Sequence, residues 1–76
     1  MTVDVKTIKV GDVFQKWIRL GNGIDDEDGI IRCIGFEKNS IILEYSQGRR
    51  GTYTKKISKN AAQKFVFGSF LGATRI

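Results

Sequence analysis

Two aliphatic segments, 30–36 (IIRCIGF) and 41–45 (IILEY), are separated only by Glu37, Lys38, Asn39 and Ser40. A gap that short selects an antiparallel hairpin, because parallel strands need a crossover of a dozen or more residues. A four-residue loop pairs Phe36 with Ile41 and Ile34 with Leu43, which predicts four large apolar groups buried together on one face. Cys33, Gly35, Ile42 and Glu44 then take the opposite face. No uninterrupted apolar run exceeds three residues, so no segment reads as a membrane span.

The same period of two recurs elsewhere. Residues 3–10 mix β-branched and charged side chains, and Gly11-Asp12 reads as a turn. Residues 13–20 place Phe14, Ile18 and Leu20 on one face with Lys16, and Trp17 on the other with Val13, Gln15 and Arg19. Segment 21–29 (GNGIDDEDG) reads as a loop, since its glycines and carboxylates are poor strand formers. Residues 47–51 (QGRRG) form a second turn leading into a strand over 52–57. There Tyr53 and Ile57 share a parity with Lys55, which leaves the register open and allows a bulge.

Ser58 reads as an N-cap, and Ala61, Ala62, Phe65 and Val66 follow at helical spacing. A short helix near residues 59–67 is predicted, with Gly68 at its C′ position. Residues 69–76 are expected to return as a last short strand. Of Phe65, Phe67 and Phe70, the core is expected to take all but one.

Seventy-six residues make a single domain, 1–76, with a thin core. Cys33 is the only cysteine and histidine is absent, so neither a disulfide nor a Cys/His zinc site can staple the fold. Stability must come from sheet closure, aromatic packing or a homo-oligomer. The lone thiol and the lack of a secretory pattern after Met1 lead to an expected cytoplasmic location.

The strand order, with Gly11-Asp12-Val13-Phe14, then Gly29-Ile30-Ile31-Arg32-Cys33-Ile34, then Ile42-Leu43-Glu44-Tyr45 and Gly48, resembles the tudor and KOW types of SH3-like small barrel over residues 11–57. The resemblance implies a mostly-β, small SH3-like antiparallel barrel of five to six strands with one short helix. An OB-like barrel, which also sets a helix between late strands, is the alternative. The acidic run Asp25, Asp26, Glu27 and Asp28 falls where SH3 domains carry their acidic loop. The paired tryptophans and ALYDY run of peptide-binding SH3 domains are missing, and only Tyr45 and Tyr53 are available for a tudor-type aromatic cage. The resemblance therefore carries a fold and no ligand.

Charge says more about partners. The net charge of +5 is polarised: the first thirty residues hold four basic and six acidic side chains, the remainder nine and two. From 46 to 76 there are seven basic residues and no acidic one. Clustered Lys and Arg around an aromatic residue outline a nucleic-acid contact surface, DNA or RNA. Its candidate residues are Arg49, Arg50, Tyr53, Lys55, Lys56, Lys59 and Lys64. The two arginines sit between glycines at a turn tip, while Lys55 and Lys56 point to opposite faces of their strand. Tyr45 and Tyr53 are candidates for base stacking; Trp17 reads more as a structural residue. The alternative is a protein-interaction module, a small inhibitor or accessory subunit docking on an acidic or hydrophobic partner.

Catalysis is not expected. Without histidine there is no Ser-His or Cys-His pair, and Gly48-Arg49-Arg50-Gly51 lacks the ending of a phosphate loop. No cofactor is implied. Aligned on a calcium-binding loop through Gly29, the acidic run leaves Ile24 and Gly35 at the two end ligand positions, so no metal site is expected.

Overall fold

The computed structural model describes residues 3–19, 25–68 and 72–76. A 3-10 turn at Val5–Thr7 leads into β1 (Val13–Arg19), β2 (Asp25–Glu37) and β3 (Ser40–Ser46). A second 3-10 turn at Gly48–Arg50 precedes β4 (Thr52–Ser58), helix α1 (Lys59–Phe65) and β5 (Thr74–Arg75). The strands form one antiparallel sheet in the order β4-β3-β2-β1-β5. The expected small mostly-β fold with five strands and one short helix is therefore formed. The ladder ends on β4 and β5, which do not pair with each other among the described residues. With two residues against seven in β4, β5 is too short to line that edge.

The β2–β3 hairpin forms where expected, but its faces differ. Phe36 pairs with Ile41 as the loop length requires, whereas Cys33, not Ile34, lies opposite Leu43. A bulge between Cys33 and Gly35 inserts one residue into β2 and reverses the phase of the alternation. Ile41, Leu43 and Cys33 are consequently fully buried and Ile34 is 40% exposed, while Phe36 keeps the face of Ile41 but is 39% exposed. Glu37 also pairs with Ser40, so the turn shrinks to Lys38-Asn39, with Lys38 at φ 50°.

Segment 21–29 is not wholly a loop. β2 starts at Asp25 and pairs Asp25, Asp26 and Glu27 with Arg19, Ile18 and Trp17. Its pairing with β3 begins only at Ile30, so this stretch has a ladder on one side alone. Backbone pairing does not require apolar side chains where a strand leaves the packed sheet, which is why four carboxylates do not prevent it. Lys16 pairs with Gly29 and Trp17 with Glu27, leaving Asp28 as the extra residue of a second bulge. The expectations for Leu20, for the rest of that loop over 21–24 and for Phe70 lie outside the described residues.

One face of the sheet carries Phe14, Ile31, Cys33, Ile41, Leu43 and Tyr45 into the core. Val5 and Ile8 from the N-terminal segment, Ala62 and Val66 of the α1 region, Phe67 and Ala73 close over it. The Phe67 and Phe14 rings meet at 5.0 Å, tilted by 60°, a geometry that aromatic quadrupoles favour. Phe65, by contrast, is 67% exposed.

Seven residues cannot hold a helix by propensity alone, so α1 depends on its ends and its docking. At its start the Ala61 N–H donates to Ser58 Oγ at 3.2 Å, the predicted cap. At its end the Val66 and Phe67 N–H groups both donate to the Ala62 carbonyl, at 2.9 and 3.0 Å. The helix stops at Phe65, and Gly68 does not serve as a left-handed C′ residue. Its φ is not positive; instead, a Cβ there would lie 2.0 Å from the Gln63 carbonyl oxygen. Close backbone approach is the reason for this glycine. Gln63 also docks the N-terminal segment, accepting from the Val5 N–H at 2.7 Å and donating to the Val3 carbonyl at 2.8 Å.

Arg75 ties the C-terminal strand to the turn before β1, donating to Asp12 Oδ2 at 2.9 Å and to Thr7 Oγ1 at 2.6 Å. Asp12 also accepts from the Lys9 N–H at 2.9 Å. The Lys9 backbone bond first, and then Arg75, hold the Asp12 carboxyl below its ordinary pKa. A depressed folded-state pKa contributes stability above the unfolded value, about 3.9, which is lost as pH falls through the lower folded value. Wild type should therefore exceed Asp12→Asn in urea midpoint at about pH 5 and converge on it toward about pH 2. A gap that stays constant across that range would show that the carboxylate charge plays no part in the clasp.

Candidate nucleic-acid interface

β4 is an edge strand of the sheet among the described residues, and its pairing with β3 is regular throughout. Tyr53 lies opposite Tyr45, Lys55 opposite Leu43 and Ile57 opposite Ile41, so the register left open by the sequence contains no bulge. These three β4 side chains share the face that carries the core. At the edge the cover thins: Tyr53 is 46% exposed and Lys55 is exposed, while Ile57 is half-buried against the cluster.

Tyr53 lies over Tyr45 with ring centroids 5.0 Å apart and planes within 2° of parallel. Tyr45 is thereby buried, and burial first, then the neighbouring Tyr53 phenol, push its pKa up. The stack sets the orientation of both rings.

Arg49 and Arg50 sit beside this pair on the Gly48–Arg50 turn, at the end of the hairpin nearest Tyr45 and Tyr53. Gly48 at φ 58° and Gly51 at φ 82° supply the left-handed conformations that the turn needs. Main-chain bonds close it: Gln47 N–H to the Gly51 carbonyl at 3.0 Å, Arg50 N–H to Gln47 at 3.1 Å and Gly51 N–H to Gly48 at 3.0 Å. Neither arginine side chain is needed for the fold, and both residues are exposed. Arg50 also borders an open cleft of about 390 Å³, with Asp28, Gln15 and Gln47 on its walls.

Lys59 lies at the opposite end of β4. Its N–H donates to the Asn39 carbonyl at 2.7 Å, and its ammonium stands 5.3 Å from the centroid of the Phe36 ring. Lys56 points to the other face of the sheet, where it pairs with Glu37 at 2.9 Å. Lys64 is on α1, with its ammonium 5.3 Å from the Phe65 ring. Tyr53 and Lys55 thus share one face along β4, a strip with the Arg49-Arg50 turn at one end and Lys59 at the other, while Lys56 faces away and Lys64 lies on the helix. Phe36 joins this strip unannounced by the sequence, which assigned it to the core: it keeps its predicted partner Ile41 yet is 39% exposed.

The remaining candidates have structural roles. Trp17 Nε1 donates to Thr74 Oγ1 at 3.0 Å, bracing β1 against β5. Burial raises the Cys33 thiol pKa, which suppresses the thiolate a nucleophile would need. No group of three or more His, Cys, Asp or Glu gathers among the described residues, and no helix there is long and apolar enough to cross a membrane. Comparison with known protein families, curated proteins and solved structures finds no match to this chain.

Proposed function

We propose that this chain is a non-enzymatic nucleic-acid-binding protein that contacts phosphates through the β4 edge. The reading is carried by one observation: Arg49, Arg50 and Lys55 flank an exposed Tyr53 on a strip drawn from an acid-free stretch of sequence. Each phosphate neutralised by such cations releases condensed counterions, so affinity comes without a deep pocket or direct base readout. Lys59 extends the strip. The Glu37 partner of Lys56 points that lysine toward a role in the sheet. The four-strand meander, the short helix after β4 and the return of β5 beside β1 support the likeness to tudor and KOW barrels at the level of fold.

A second reading, a protein-interaction module, is favoured by Phe65, whose ring is 67% exposed. The two differ in salt dependence, since a protein interface depends on a few buried anchors whereas phosphate contacts weaken steeply with salt for any sequence. Replacing Arg49 and Arg50 together with alanine should leave thermal stability nearly unchanged, because main-chain bonds hold the turn. The slope of log affinity against log salt should flatten by about 1–2, and similarly for unrelated sequences. An unchanged slope would remove the arginines from the interface. Wild-type protein without affinity for any nucleic acid at low salt would reject the proposal and return the basic strip to an acidic protein partner.

A further inference from the structure

We infer that the strip takes a single strand rather than a duplex, with Tyr53 as the plate on which an unpaired base stacks; the inference rests on the nucleic-acid reading above. Every base offers a π-face to an aromatic ring, but only when it is not already stacked between its neighbours in a duplex. Tyr53 meets that need in a fixed pose. Its ring is held parallel to Tyr45 within 2° and remains 46% exposed, so little side-chain freedom is lost when a base arrives.

Spacing points the same way. Side chains on one face of a strand recur about every 7 Å, a step comparable with the nucleotide repeat of an extended single strand. Lys55 stands one such step from Tyr53 on the same face, where it meets the next phosphate while Arg49 and Arg50 meet the preceding ones. At the far end the pattern of ring and cation repeats: Phe36, 39% exposed, shares this face with Lys59 at 5.3 Å. Phe36 pairs with Ile41 and Ile41 with Ile57, which places that ring about 10 Å across the sheet from Ile57. The strip therefore accommodates about four nucleotides from turn to hairpin, within the range for small barrels. A duplex would meet the same cations and leave both rings unused.

The test uses fluorescence anisotropy at low salt with labelled single strands of about twelve nucleotides, DNA and RNA, and the matching duplexes. Single strands should bind at least about tenfold more tightly than duplexes. Tyr53→Leu keeps an apolar cover on Tyr45 without a π-system; it should weaken single-strand binding by about 5- to 150-fold and duplex binding by less than about twofold. Tyr53→Phe should restore the difference, and Phe36→Leu should produce a smaller loss of the same kind. Melting midpoints of the variants guard against misfolding. Equal affinity for both forms, or an equal loss in both with Tyr53→Leu, overturns the inference and leaves a phosphate-only surface. No binding to either form instead defeats the nucleic-acid reading itself.

Discussion

Replacing Leu43 with alanine is expected to destabilise the protein by about 2–5 kcal/mol. The side chain is fully buried on β3, which is flanked by β2 and β4, so neighbouring backbone cannot collapse into the space it leaves. A chain of this size has roughly 4–11 kcal/mol of stability to lose, and the variant should be partly unfolded at physiological temperature. Urea unfolding followed by tryptophan fluorescence would measure it. A loss below about 1 kcal/mol would mean that the hairpin does not anchor the core.

Gly29→Ala should have an effect of similar size for a different reason. Gly29 has φ +130°, a conformation that side chains with a Cβ rarely adopt, and a Cβ built there would lie 2.5 Å from the Ser46 carbonyl oxygen. Backbone strain of about 1–3 kcal/mol adds to an overpacking cost of about 1–3 kcal/mol. Because Ser46 and Gln47 are what such a Cβ would push, the damage should reach the Gly48–Arg50 turn and weaken any ligand held by Arg49 and Arg50. Gly48→Ala is the control: its φ is +58° but nothing lies within 4 Å, so only the left-handed penalty of about 1–2 kcal/mol applies. Equal losses in the two variants would show that close packing at Gly29 does not matter.

Much of the architecture was legible in local pattern. The 37–40 spacing announced the β2–β3 hairpin, Ser58 announced the helix start, and Gly48 and Gly51 announced the turn that displays two arginines. The candidate site was legible as a charge pattern but not as a surface. That Lys55 and Lys56 diverge, with Lys55 on the parity of Tyr53, follows from the two-residue period of a strand; that no bulge interrupts β4 does not. The Tyr45–Tyr53 stack, the pairing of Lys56 with Glu37 and the rim position of Phe36 all depend on which strand lies beside which, and at what register.

The sequence by itself determined the β2–β3 hairpin, the 47–51 turn, the helix cap and the exposed arginines, because each follows from interactions within a few residues of chain. Only the tertiary structure decided the phase of the faces, the extent of β2 and the purpose of Gly68. A bulge adds one residue without changing composition, so Ile34 and Cys33 exchange environments with no trace in the alternation. Residues 25–29 form a strand because β1 offers backbone partners, not because their side chains favour one. Gly68 lies against the Gln63 carbonyl because of the path on which the chain leaves α1, which the residue types there do not state. The phase of the faces and the extent of β2 depend on pairing between strands, which no local window of residues contains.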